Sequence, residues 1–113
     1  TASVIITVDQ TNSIQKTDIV PLTYQLHQNH PNPFNPTTQI QYDLPKASEV
    51  HLVVYDMLGK EVVLLLQQKQ SAGRYQVTWN GKDGFGQQVS SGIYIYQLQA
   101  RSFQQVRKML LVR

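Results

Sequence analysis

Apolar positions recur with a period of two over most of this chain, and no stretch shows the 3.6-residue period of an amphipathic helix. After Pro21, Leu22, Tyr24 and Leu26 alternate with Thr23 and Gln25. From Gln39 onward residues 38–44 alternate again, with Ile40, Tyr42 and Leu44 on one face, until Pro45 stops the run. Residues 50–55 are apolar on both faces apart from His51, which predicts a central strand, and residues 61–67 read as the next one. Gly73 opens a further strand in which Tyr75, Val77 and Trp79 point one way while Gln76 and Thr78 point the other. Residues 91–100 and 103–112 make a final long hairpin, with Tyr94, Tyr96 and Leu98 on its core face. At the other end, residues 4–8 form a short β run, read as the end of a preceding domain or as a strand donated to this one. Residues 11–18 are polar without clear periodicity and read as a linker.

Turn chemistry separates these runs. Asp56-Met57-Leu58-Gly59-Lys60 places Gly59 where a positive φ is needed, and Asn80-Gly81 and Asp83-Gly84 supply two turn dipeptides in quick succession. Strands at about ten-residue spacing with turns between them predict an all-β fold, an antiparallel immunoglobulin-like or fibronectin-like β-sandwich of about seven strands. Trp79 is the expected centre of its core, with Tyr75, Val77, Tyr96 and Leu98 around it. The expected organisation is an upstream strand and linker over residues 1–21, followed by the sandwich over residues 22–113.

One segment fits neither a helix nor a central strand. Pro31-Asn32-Pro33-Phe34-Asn35-Pro36 loses three backbone donors to its prolines, and each proline biases the residue before it towards extended conformations. The run makes a stiff entrance to the domain, with Phe34 as its single large apolar group. Read in isolation it is an ordered loop with one buried Phe.

Composition narrows the class. At 113 residues the chain is long enough to bury one core, and 41% hydrophobic with 15% charged residues is the balance of a folded chain. Its longest apolar run, residues 62–66, is strand-sized and far short of the roughly 20 residues of a spanning helix. The sequence starts in mid-pattern, so an excerpt from a longer protein whose export signal lies upstream is expected. Cysteine is absent, which removes disulfides and thiolate metal sites. The net charge of +3 is unevenly spread: no acidic residue follows Asp83, whereas Arg101, Arg107, Lys108 and Arg113 do. That basic end could meet an acidic receptor or anionic headgroups, or could protect an exposed edge strand from pairing.

Candidate chemistry is sparse. His27, His30 and His51 have no metal-ligand spacing, although His27 and His30 could in principle join Asp43 around an ion. Asp56 and Glu61 bracket a turn rather than a cleft. Residues 80–87 offer oxygen ligands but lack the terminal bidentate acid of a helix-loop-helix calcium site, so a plain turn is the better reading. No catalytic constellation, metal site or cofactor is expected, and the chain is not read as an enzyme. Tyr94 and Tyr96 could stack on bases, but the basic residues are few and scattered, so no nucleic-acid partner is expected. The sixteen glutamines include Gln39, Gln41, Gln76, Gln97 and Gln99 at polar strand positions, a face able to hydrogen-bond sugars or another protein.

Beyond the Asn-Pro run, further blocks follow in fixed order. These are Asp56-Met57-Leu58-Gly59-Lys60-Glu61-Val62, Ala72-Gly73-Arg74-Tyr75-Gln76-Val77-Thr78-Trp79-Asn80-Gly81, Ser91-Gly92-Ile93-Tyr94-Ile95-Tyr96-Gln97-Leu98 and Arg107-Lys108-Met109-Leu110-Leu111-Val112-Arg113. In this order and spacing the set resembles the C-terminal sorting domain of proteins exported by the bacterial type IX secretion system. The match is to the type A class, which is similar to the immunoglobulin-like domain of the flagellar hook-capping protein, and it covers roughly residues 22–113.

The resemblance implies a signal that carries a larger N-terminal passenger from the periplasm through the outer-membrane translocon. In that family the domain is often removed afterwards, and the passenger is released or linked to an anionic surface polysaccharide. The implied location is secreted or at the cell surface, and a cut in the 11–18 linker is expected. Motif matching implies recognition by Asn32, Pro33, Phe34, Asn35 and Pro36 in the entrance loop, by Gly92 and Tyr94, and by Lys108, Leu110 and Leu111. In physical terms the loop would offer rigid, unpaired carbonyls, Gly92 a tight turn and Tyr94 an anchor. Lys108 would supply a cation on a terminal strand whose free edge accepts strand addition, with Leu110 and Leu111 as apolar contacts on its two faces. Two positions depart from the family: His30 replaces a common aromatic, which puts the packing of the loop base in doubt, and Asn80 follows Trp79 in place of aspartate. The alternative function is a non-catalytic structural or carbohydrate-binding accessory module of an extracellular enzyme, on the same fold.

Overall fold

The computed structural model describes residues 4–6, 14–17 and 19–113. Among the described residues nine strands are formed: β1 (Val4–Ile6), β2 (Ile14–Thr17), β3 (Gln25–Leu26), β4 (Thr38–Leu44), β5 (Ser48–Tyr55), β6 (Glu61–Gln70), β7 (Gly73–Trp79), β8 (Gly92–Ala100) and β9 (Phe103–Leu111). They make two antiparallel sheets, one ordered β1-β2-β7-β4-β3 and the other β6-β5-β8-β9. The sandwich expected from the alternation is therefore present, with Gly59 at φ +85 in the turn between β5 and β6.

The strands that carry the core follow the sequence pattern closely. In β7 the buried residues are Gly73, Tyr75, Val77 and Trp79, and in β8 they are Tyr94, Tyr96, Leu98 and Ala100. Ile40, Tyr42 and Leu44 from β4 and Val50, Leu52 and Val54 from β5 close the space between the sheets. Aromatic pairs fix the layers: Tyr42 stacks on Tyr75 at 5.4 Å, and Trp79 meets Tyr94 edge-on at 5.5 Å. Each such pair adds about 1 kcal/mol beyond the burial of its area. Trp79 donates its indole N–H to the Lys82 carbonyl at 2.9 Å, so the largest core side chain carries no unpaired polar atom.

In the N-terminal segment Val4–Ile6 takes one of its two expected roles, a strand donated to this domain, whereas residues 14–17 depart from theirs. Residues 14–17, read as part of a linker, form β2 and pair antiparallel with β7, and Val4–Ile6 pairs in turn with β2. A single apolar residue, Ile14, is buried in β2. The strand exists because β7 has a second edge to satisfy, which local periodicity does not reveal. Residues 7–8, 11–13 and 18 of the same two runs lie outside the described residues. In the stretch 22–26 only Gln25–Leu26 pairs, with Asp43 and Tyr42.

Candidate functional site

The Asn-Pro run is held from beneath by a small buried polar network. Asn29 is fully buried and donates through Nδ2 to the Pro31 carbonyl at 3.1 Å and to Thr38 Oγ1 at 2.9 Å. Thr38 Oγ1 also donates to the Pro31 carbonyl at 2.9 Å, and Gln28 Nε2 donates to Asn29 Oδ1 at 2.7 Å. His30 and Gln39 exchange backbone hydrogen bonds of 2.9 and 2.7 Å, which seats the loop on β4. The His30 side chain is exposed, so the loop base is packed by Asn29 and Thr38 and does not need the aromatic that His30 replaces. The peptide bonds preceding Pro31, Pro33 and Pro36 are cis.

Phe34 turns inward, 2% exposed, with its ring 5.7 Å from that of Trp79. Its backbone reaches the last strand. Phe34 N–H donates to the Leu110 carbonyl at 3.0 Å, Val112 N–H donates to the Phe34 carbonyl at 2.9 Å, and the two segments form a parallel bridge between Phe34 and Leu111. Asn32 Oδ1 accepts from Leu110 N–H at 3.0 Å. Further along the same edge, Gln28 Nε2 donates to the Lys108 carbonyl at 2.7 Å and Arg107 Nε to the Leu26 carbonyl at 2.6 Å.

Two expectations are corrected here. The edge of β9 is not free for strand addition between residues 108 and 112, because the entrance loop and Gln28 already satisfy it. The loop carbonyls of Pro31 and Phe34 are likewise not unpaired. A chain with an open terminal edge would be prone to pair with other chains, and here the proline-rich loop covers that edge.

The remaining residues expected in recognition divide by burial. Tyr94 is buried and donates its hydroxyl to the Ser90 carbonyl at 2.7 Å, and Leu111 is fully buried. Leu111 therefore belongs to the core and offers no contact to a partner, which corrects the two-faced reading of Leu110 and Leu111. Gly92 opens β8 at φ +154 with open space where a Cβ would stand. Asn32, Pro33, Asn35, Pro36, Lys108 and Leu110 are exposed, on the loop and on the strand it touches. Arg113 closes the strip: Nε donates to the Val89 carbonyl at 2.6 Å and Nη2 to the Gly81 carbonyl at 2.7 Å. Gly81, at φ +75, has the Pro36 carbonyl and Arg113 Nη2 each 3.0 Å from the place of a Cβ. The positive φ and these close approaches favour glycine where this turn, the loop and the C-terminal residue converge.

Sequence reasoning missed Gln28, Asn29 and Thr38 as supports of the loop, and Arg113 as the residue bonded to Val89 and Gly81. The available signal was a cluster of small polar side chains flanking three prolines, whose lost donors call for others nearby.

Other candidates resolve into structural roles. The buried Asp43 carboxylate accepts from Arg74 Nε at 3.0 Å and lies 3.2 Å from His27 Nε2, so its oxygens are taken by these side chains. Asp83 Oδ1 accepts from Phe85 and Gln87 N–H at 2.9 and 3.0 Å, as a turn-forming aspartate does. An open groove of about 570 Å³ runs between β6 and this turn, lined by Val62, Leu64, Lys82, Asp83 and Phe85 among others.

Comparison with known proteins decides the family. The family model of the FlgD Ig-like domain matches residues 32–103, from the Asn-Pro loop to the start of β9. The chain belongs to the FlgD Ig-like domain family. Among solved structures, FlgD from P. aeruginosa is 28% identical with a TM-score of 0.53, the match covering 66% of this chain and 57% of that one. PorZ, described as an essential bacterial surface component of the type-IX secretion system of Porphyromonas gingivalis, shares the fold. It is 20% identical with a TM-score of 0.52, over 80% of this chain and 11% of PorZ. The chain thus spans just over half the length of one relative and a small part of the other. A comparison with curated protein sequences finds no match. The family match leaves β1, β2, β3 and most of β9 outside it, including the strand that the Asn-Pro loop covers.

Proposed function

We propose that this domain is a sorting signal in folded form, which directs a larger N-terminal passenger through the outer membrane by the type IX secretion system. The observation that carries this reading is the parallel bridge between Phe34 and Leu111. It joins two of the three motif groups that the resemblance assigns to recognition, the entrance loop and the last strand, which are far apart in sequence, and beside it the exposed Asn32 and Leu110 are in contact. Membership of the FlgD Ig-like family and the fold likeness to a surface component of that secretion system support it.

With backbone groups along this strip already paired, a receptor reads side chains and shape: the amides of Asn32 and Asn35, the Pro36 ring, the Lys108 ammonium and the Leu110 side chain. A loop held by its own hydrogen bonds is ordered before binding, so little entropy is lost when a receptor docks. The proposed partners are the translocon with its sorting machinery and the passenger, with linkage of the released passenger to an anionic surface polysaccharide. The proposed route runs through the periplasm to the cell surface or medium. A processing cut within residues 14–17 would first require β2 to leave its sheet, so a cut there is slow unless the domain opens locally.

The test is secretion of a fluorescent passenger fused to residues 1–113 in a bacterium possessing the type IX system. It is run beside a fusion carrying Asn35→Ala, Lys108→Ala and Leu110→Ala, with folding of both domains checked in vitro. Passenger outside the cell with the native domain, and retained in the periplasm with the folded triple variant, is the expected result. Equal retention of both overturns the sorting role and leaves the accessory-module reading, to be pursued with glycan arrays.

A further inference from the structure

The outward face of the four-stranded sheet carries a cluster of exposed apolar side chains. Its register places Leu64, Val53, Gln97 and Val106 in one row across the sheet, and Glu61, Tyr55, Ile95 and Lys108 in the next. Beyond these, Ile93 lies beside Leu110, at the end of the sheet where the turn after β5 presents Met57 and Leu58. Leu64, Ile93, Val106 and Leu110 are 42, 44, 54 and 37% exposed, while Val53, Tyr55 and Ile95 between them are half-buried. A cluster of exposed apolar side chains of this kind, with a charge at each end of one row, marks an interaction site.

We infer that this face is a docking surface for a second copy of the same chain, packed sheet to sheet about a two-fold axis parallel to the strands. Charge placement identifies the occupant. Glu61 and Lys108 sit at opposite ends of one row, on the two edge strands, with only Tyr55 and Ile95 between them. Rotation about an axis running between β5 and β8 lays β6 of one copy over β9 of the other. Each Glu61 then meets the partner copy's cation at position 108, and Leu64 of each copy meets the other's Val106. The polar row Gln67, His51, Gln99 and Gln104 meets itself in the same way, Gln67 over Gln104 and His51 over Gln99. A two-fold interface must be self-complementary, and an acid and a base at the two ends of an apolar row satisfy that requirement.

Four strands at roughly 4.8 Å and about eight residues at roughly 3.4 Å give a face near 500 Å². That is below the roughly 800 Å² per partner of a standard stable interface, so the dimer is weak and concentration-dependent. Its formation would cover Lys108 and Leu110, so a receptor using those residues and the second copy would compete. The inference stands apart from the sorting role: it uses neither the Asn-Pro loop nor a translocon, and either can fail alone.

Sedimentation equilibrium of the 113-residue chain between roughly 10 µM and 1 mM tests it, a range that covers weak association. The native chain is expected to pass from monomer to dimer. E61K and K108E are each expected to weaken association about tenfold, and the charge-swapped double variant to restore it to within about twofold of native. V106D, at an exposed position, is expected to leave the circular dichroism spectrum unchanged and abolish the dimer. A native chain that stays monomeric throughout overturns the inference. So does a double variant no better than the single ones, or a dimer indifferent to V106D.

Discussion

Phe34 shows how a residue that looks like a recognition element can first be a structural one. Its ring is buried against Trp79 while its backbone pairs with the last strand, so truncation to Ala removes packing at the point where loop and sheets meet. The expected loss for Phe34→Ala is about 3–5 kcal/mol, measured by urea denaturation, and a similar loss is expected for Trp79→Ala. Set against a typical stability of about 5–15 kcal/mol, either variant is marginal at best. Tyr96 gives a pH-dependent prediction. Burial pushes its hydroxyl up to about 12, against smaller opposing contributions from the Asn29 backbone and from Arg107; the hydroxyl donates to the His27 carbonyl at 2.6 Å. The unfolded chain releases this proton near pH 10, whereas the folded one holds it until about pH 12. The stabilisation is therefore intact below pH 10 and is lost as pH rises through that window. Burial pushes Tyr42 up in the same direction. Denaturation free energies measured from pH 8 upward should fall beyond pH 10, and Tyr96→Phe should flatten that fall while costing about 1 kcal/mol at neutral pH.

At the scale of elements, what was legible in the sequence was whatever alternation writes locally. The faces of β7 and β8, the central position of β5 and the final hairpin follow from period-two patterns, because each strand buries one face against the other sheet. Neither β2 nor the pairing of the Asn-Pro loop with β9 was legible, because both are edge contacts satisfied by backbone groups that every residue carries. Gly73 offers a direct test of β2. A Cβ there would stand 2.9 Å from Lys16 Cε and 3.1 Å from the Thr17 carbonyl, at a φ of +155 that other residues rarely adopt. Gly73→Ala is expected to push residues 14–17 off the edge of β7. Hydrogen exchange should show their amides losing protection at least tenfold, about 1.4 kcal/mol, while the amides of β5 and β8 keep theirs. Unchanged protection over residues 14–17 would mean that β2 accommodates the methyl group by a shift of the Lys16 side chain.

For the whole molecule, the site and the core cannot be separated by deletion. Motif matching named ten residues as one group, yet the structure divides them: Phe34, Tyr94 and Leu111 are buried, while Asn32, Asn35, Lys108 and Leu110 are exposed. Sequence motifs carry both kinds because the loop needs its Phe in the core to hold its asparagines at the surface. Removing residues 104–113 would take away Met109 and Leu111, which are 1 and 0% exposed, together with the edge to which Phe34 bonds and the Arg113 contacts to Gly81 and Val89. Two buried side chains lost at about 2–5 kcal/mol each remove a large part of a typical stability of about 5–15 kcal/mol, before the lost strand pairing is added. The truncated chain is therefore expected to lose its cooperative urea transition and the near-ultraviolet dichroism of Trp79. The triple variant at Asn35, Lys108 and Leu110 should keep both, with a midpoint close to native, because exposed side chains cost little to shorten. Should the truncated chain keep a cooperative transition, the last strand would be an appendage, and a secretion defect on its deletion could be assigned directly to recognition.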